Sequence, residues 1–148
     1  MGLEQLKQLR EETGISLAQC KKALDESNGD IDKAKNLLKE WGQKVAEKKQ
    51  SREASQGIIE SYVHQTGKVG VLLDLRCETD FVARAQDFKN LAHEVAMQVA
   101  SMNPSTVEEL LSQSYIRESG RTIKDLVNDT IAKLGENIVV QRFIRFEL

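Results

Sequence analysis

The side chains best suited to covalent chemistry in this sequence are Cys77, as a nucleophile, and His64 or His93, as its base. A thiolate next to an imidazole would point to a hydrolase, and such an enzyme should carry a thiol-reactive Cys77 in the folded state. The surroundings argue against it. Cys77 falls in register with Val69, Val71, Leu73 and Leu75 in a period-two pattern, so it reads as a small side chain on the apolar face of a strand. His93 lies off the apolar stripe of a helix-period segment, and His64 sits beside a turn on the opposite strand. Asp74 and Glu78 share a strand face, the ordinary pattern of a solvated surface. No His-Glu-x-x-His, Cys-x-x-Cys or phosphate-loop motif occurs. The sequence therefore assigns no catalytic residue, no metal and no cofactor.

The elements that hold these residues are more informative. The strand pattern from Val69 runs into Cys77-Glu78-Thr79-Asp80-Phe81-Val82-Ala83-Arg84, and a helical spacing of Phe81, Ala85, Phe88, Ala92, Val95 and Val99 continues to Met102. Thr79 stands where an N-cap belongs, and Asp80 complements the helix dipole in the first turn. Periodicity places Phe81 in phase with the helix's buried stripe. The competing reading makes it an aromatic anchor presented to a partner.

Composition bounds the class. The 148 residues suit one medium domain or two small ones, and 21 basic against 23 acidic side chains leave a net charge of −2. That balance gives no footprint for nucleic acid or an anionic membrane. There is no transmembrane-length apolar run and no visible secretory leader, and two cysteines make no disulfide framework. Residues 1–42 predict three short helices: Leu3, Leu6 and Leu9; then Leu17, Cys20, Ala23 and Leu24 after the Ser16 cap; then Ile31, Ala34, Leu37, Leu38 and Trp41 after Asp30, ending at Gly42. Residues 43–55 form a charged, helical and solvated connector.

Residues 56–148 are expected to form an α+β core. Its strands are Ile58–Gln65 and Val69–Glu78, joined by Thr66-Gly67-Lys68, and a third runs from Ile138 to Leu148. Between them lie the long helix, a short one capped by Thr106, a loop or frayed helix over Tyr115–Arg121, and a helix from Ile123 ending at Gly135. The result is a three-stranded antiparallel sheet covered by helices, ββααβ. Apolar residues on both sheet faces predict an exposed patch and self-association.

Several stretches resemble the family of translation elongation factor Ts, the guanine-nucleotide exchange factors of elongation factor Tu. They are Leu9-Arg10-Glu11-Glu12-Thr13-Gly14, Cys20-Lys21-Lys22-Ala23-Leu24, Asn28-Gly29-Asp30-Ile31, the Cys77–Arg84 stretch, and Gly135-Glu136-Asn137-Ile138-Val139-Val140 with Arg142-Phe143. The resemblance implies a ubiquitin-associated-like N-terminal module. It also implies a corner, Thr79, Asp80, Phe81 and Val82, that docks on the partner's nucleotide-binding domain, with Asp80 and Phe81 inserting near its magnesium and phosphate site. Further contacts would come from Arg10, Leu17 and Ala18, with Lys49 on the connector as another. The connection from Met102 to Thr122 leaves no room for the helical hairpin of long members, so the chain resembles the short form, which is expected to dimerise through the core sheet. The location implied is a bacterial cytoplasm, or an organelle of bacterial descent after loss of a transit peptide. A second reading is an adaptor whose N-terminal bundle binds another protein while the core only dimerises.

Overall fold

The N-terminal helices begin and end where the local chemistry dictates. In the computed structural model, which describes residues 2–148, α1 spans Leu3–Thr13, α2 Leu17–Glu26 and α3 Ile31–Lys49. Gly14, at φ +67°, closes α1 by donating its N–H to the Arg10 carbonyl. The Ser16 hydroxyl accepts from Gln19 N–H, and the Asp30 carboxylate accepts from Lys33 N–H at 3.1 Å, capping α2 and α3. Leu9, Cys20, Ala23, Leu24, Ala34 and Leu38 form a small core, with Leu6, Ile15, Ile31, Leu37 and Trp41 packed around it.

The third helix does not stop at Gly42. It runs seven residues further, and Gly42 is a buried interior position lying against Asn128, Asp129 and Ala132 of a later helix. The glycine that read as a terminator is a helix-interior position facing that later helix instead. Nor is the stretch after it wholly solvated, since Ala46 is buried in the main core with Val45 packed against it. α3 thus contributes to both apolar clusters.

The main sheet has order β1-β2-β5, all antiparallel: β1 Gln56–Val63, β2 Val69–Cys77 and, at the chain's end, β5 Val139–Glu147. Ile58 pairs with Leu75 and Tyr62 with Val71. On the other edge Leu72 pairs with Ile144 and Asp74 with Arg142, after which a bulge leaves Gln141 unpaired. Val71, Leu73, Leu75 and Cys77 are buried beneath α5 (Gln86–Met102), which contributes Phe88, Leu91, Ala92, Val95, Ala96 and Val99. The opposite face exposes Ile59, Val63, Leu72, Ile144 and Phe146.

Two expectations about connections fail. The single helix from Thr79 to Met102 is broken: α4 is one turn, Asp80–Ala83, and Ala85 is extended (φ −66°, ψ 141°) before α5 begins. The Tyr115–Arg121 stretch is neither loop nor helix. After α6 (Val107–Ser112) it makes a small hairpin of β3 (Ser114–Tyr115) and β4 (Glu118–Thr122). The cause is the fully buried Gln98 on α5. Its amide nitrogen donates to the Ser114 carbonyl at 3.0 Å, and its oxygen accepts from Ile116 N–H at 3.1 Å. A polar side chain in an apolar stripe is satisfied by an edge of backbone, and the hairpin is that edge. α7 (Ile123–Leu134) follows, capped by Thr122 and ended by Gly135.

Two glycines give opposite expectations. Gly57 sits at φ +152°, and a Cβ there would collide with the Leu75 carbonyl and come within 2.8 Å of Arg76 Cα. Gly57→Ala is expected to destabilise the protein by about 2 kcal/mol or more. At Gly42 an added Cβ meets only ordinary contacts at 3.7 Å and beyond. Gly42→Ala is expected to stabilise by about 0.5–1 kcal/mol, because glycine is unfavourable inside a helix. Thermal melts should therefore move in opposite directions, and a fall for Gly42→Ala would refute the helix-interior assignment.

Candidate functional site

Cys77 and the histidines do not meet. Gln56 pairs with Cys77 at one end of the β1–β2 hairpin, whereas His64 closes the other, roughly 26 Å away along the strand. The Cys77 thiol donates to the Thr79 carbonyl at 3.1 Å. Burial, with the Glu136, Asp80 and Glu78 carboxylates nearby, pushes it up to about 11, so it is a thiol and not a thiolate at neutral pH. His64 Nδ1 pairs with the Thr66 hydroxyl within the turn, and His93 packs edge-on against Tyr62. Among the described residues no group of His, Cys, Asp and Glu side chains could hold a metal ion, and no helix is long and apolar enough to cross a membrane.

The Thr79–Val82 corner combines a capped helix start with one buried and one exposed apolar side chain. The Thr79 hydroxyl accepts from Val82 N–H at 3.2 Å, which starts α4. Val82 and Ala83 then turn inward, with Val82 only 5% exposed, so Val82 anchors the corner in the core and its side chain offers little to a partner. Phe81 goes the other way: it is 86% exposed, and the helical phase that placed it in the core is lost at the break before α5. Asp80 is exposed and ion-paired with Arg84 across the same turn.

Sequence reasoning missed what fixes this corner. Glu136, just beyond α7, accepts from Glu78 N–H (3.2 Å), Thr79 N–H (2.9 Å) and the Thr79 hydroxyl (2.7 Å). In return Glu78 accepts from Asn137 N–H at 2.7 Å. Asn137 also donates through its amide to the Arg52 carbonyl at 2.8 Å. The sequence marks Glu136 and Asn137 only as part of the segment resembling the elongation factor Ts family, because a bond across 57 residues leaves no periodic signal.

The remaining candidates are apart from the corner in sequence. Leu17 and Ala18 open α2 and line a shallow apolar groove with Gly2, Leu3, Leu6 and Lys21. Arg10 is exposed on α1 and is not among the groove's lining residues. Lys49 is partly buried, and its ammonium donates to the Gly135 carbonyl at 2.9 Å, a cation at the C-terminus of α7. On the open sheet face Asp74 is buried between Arg76, which grips it twice at 3.0 and 3.1 Å, and Arg142 at 3.2 Å. Arg76, with Arg142 assisting, holds the Asp74 carboxyl below its usual range.

Comparison with known proteins covers both halves of the chain. The family described as "Elongation factor TS" matches residues 78–148, and that described as "Elongation factor Ts, mitochondrial, N-terminal" matches residues 2–46. "Elongation factor Ts" of Coprothermobacter proteolyticus is 45% identical over 97% of this chain and 95% of its own length. That of Thermoanaerobacter sp. is 40% identical over 96% and 92%, and that of Rubrobacter xylanophilus 37% identical over 99% and 98%. Each alignment spans 187 to 191 positions, so these relatives carry residues with no counterpart among the 148 here. With the corner and the Gly135–Val140 segment inside one matched region and the three-helix module inside the other, the chain belongs to the elongation factor Ts family.

Proposed function

We propose that the protein is a guanine-nucleotide exchange factor of translation elongation, acting on elongation factor Tu with Asp80 and Phe81 as its wedge. The observation that carries the reading is Phe81. A large aromatic ring is held almost fully in solvent on a single helical turn whose next two residues are buried. Water gives no reason to expose a ring there, and a desolvating pocket on a partner does. Asp80 beside it places a carboxylate where the partner's magnesium and phosphates would be disturbed. The factor does no bond chemistry. It binds a nucleotide-loosened state of the GTPase more tightly than the nucleotide-bound one, so it must weaken nucleotide by the factor by which nucleotide weakens it.

Thr79 supports the wedge as its cap, and Val82 as its root in the core. The apolar groove carrying Leu17 and Ala18, with Arg10 on α1, gives a second contact on the same partner, and Lys49 serves by tying α3 to the end of α7. The unit boundaries that go with this reading are a three-helix module at 1–42, a connector at 43–55 and a core at 56–148, with α3 running through the first boundary into the connector. The compartment is a bacterial cytoplasm, or an organelle of bacterial descent. Nucleic acid, membrane and cofactor play no part.

The second copy of the chain belongs to the same proposal. Ile59, Val63, Leu72, Ile144 and Phe146 share the open sheet face, and pairing two such faces would remove the patch from water. The dimer is expected to be split by Leu72→Glu at the centre of the face, with circular dichroism unchanged. Sedimentation checks this. A monomeric wild type would remove the dimer from the proposal.

Release of a fluorescent GDP analogue from elongation factor Tu tests the main reading. Wild type should accelerate release, and Phe81→Ala should cost about 2 kcal/mol, roughly thirtyfold in rate at limiting factor, as anchors do. Because the ring is exposed, Phe81→Ala should shift stability by no more than about 0.5 kcal/mol. A loss nearer the ~3–5 kcal/mol of a buried phenylalanine would return Phe81 to the core. No acceleration by wild type would leave the adaptor reading in its place.

A further inference from the structure

We propose that Glu136 is a positioning residue for the Phe81 wedge, aiming it from the far end of the chain through hydrogen bonds to the cap of α4. The inference rests on the exchange-factor reading and adds a residue to it. α4 has four residues, too few to hold its own axis, and the exposed ring of Phe81 has no packing to orient it. Val82 and Ala83 root the turn in the core, and its direction is set in addition at its cap residue, Thr79. Glu136 takes hold of that residue twice, through Thr79 N–H at 2.9 Å and the Thr79 hydroxyl at 2.7 Å. It also grips the residue before, through Glu78 N–H at 3.2 Å. The same hydroxyl accepts from Val82 N–H, so the carboxylate, the cap and the first turn form one connected chain of bonds.

The electrostatics make a carboxylate an unlikely choice for filling space. Glu78 and Asp80 flank Thr79, and placing a third negative charge against them is unfavourable. Three donors aimed at one carboxylate reverse that balance. Glu78 returns the grip by accepting from Asn137 N–H at 2.7 Å, which holds the backbone next to Glu136 against the corner it serves. Glu136 lies in the connection between α7 and β5 and is outside the apolar core, so it is placed to aim the corner without carrying the core.

Nucleotide release is measured across a range of factor concentrations for wild type, Glu136→Ala, Glu136→Gln, Phe81→Ala and the double variant Phe81→Ala/Glu136→Ala. Melting curves and NMR hydrogen exchange of the Glu78 and Thr79 amides accompany each. Glu136→Ala is expected to slow release about tenfold, in the range that misplacement of a working group produces. Its melting point should stay close to wild type while the two amides lose protection. Glu136→Gln keeps one acceptor oxygen and should recover part of both. The deciding result is the double variant, which should be no slower than Phe81→Ala alone, because a misaimed position without its ring has nothing more to lose.

Full-rate release by Glu136→Ala, or losses that multiply in the double variant, would overturn the inference while leaving the exchange reading intact. So would a loss that merely tracks a fall in folded fraction. If wild type itself does not accelerate release, the exchange reading falls and this inference with it.

Discussion

Val82, Ala83 and Phe88 are all buried, and one straight helix from Thr79 could not bury the three together. At about 100° per residue they point around the whole circumference, whereas Phe81, Ala85, Phe88 and Ala92 fall on one side. The chain resolves the conflict by breaking at Arg84–Ala85, so that α4 buries Val82 and Ala83 while α5 restarts with Phe88 in the core. Once the break is made, Phe81 is the residue with no place inside. Its exposure is a consequence of which neighbours the core takes, and that is why it can serve as an anchor without loosening the fold.

A one-turn helix released from α5 needs another support, and the fold supplies it from the start of β5 and the end of α3. Glu136 and Asn137 stand between α7 and β5, directly beside the corner, because β5 pairs with β2 and brings Val139 opposite Arg76. The sheet order therefore decides that the C-terminal segment reaches the Thr79 cap. Lys49 on the Gly135 carbonyl and Asn137 on the Arg52 carbonyl then attach the end of α3 to the same place. Three chain segments meet where the ring leaves the surface.

The elements were legible where the signal was local. Ser16, Asp30, Thr79 and Thr106 all cap helices, and the alternation from Val69 to Cys77 gave the central strand its buried face. What sequence reasoning lost was set by tertiary contact. Gly42 carries the local chemistry of a helix end, yet α3 continues past it because the residues beyond, Ala46 among them, pack into the main core. Gln98 looks like a lapse in an apolar stripe until the hairpin it bonds is seen. Phe81 was misplaced by periodicity, since a break between two helices in phase leaves no mark in hydrophobic spacing. The Glu136 bonds lie beyond any local pattern, so the corner's residues could be named from sequence but not what aims them.

The continuity of α3 bears on how two separate surfaces could serve one partner. Its 19 residues span roughly 28 Å, and the helix is docked on α7 through Gly42 and by the Lys39–Asp125 ion pair at 3.1 Å. The module that carries the Leu17–Ala18 groove is thereby joined to the core by packed helix and not by a free linker. With a flexible linker, engaging the second surface would cost the entropy of ordering the connection, and the effective concentration would fall as the linker lengthened. A docked helix has met that cost in folding. Under the proposed exchange function, groove and corner would reach the partner at a spacing fixed by the fold, which would admit a partner of matching geometry and disfavour others.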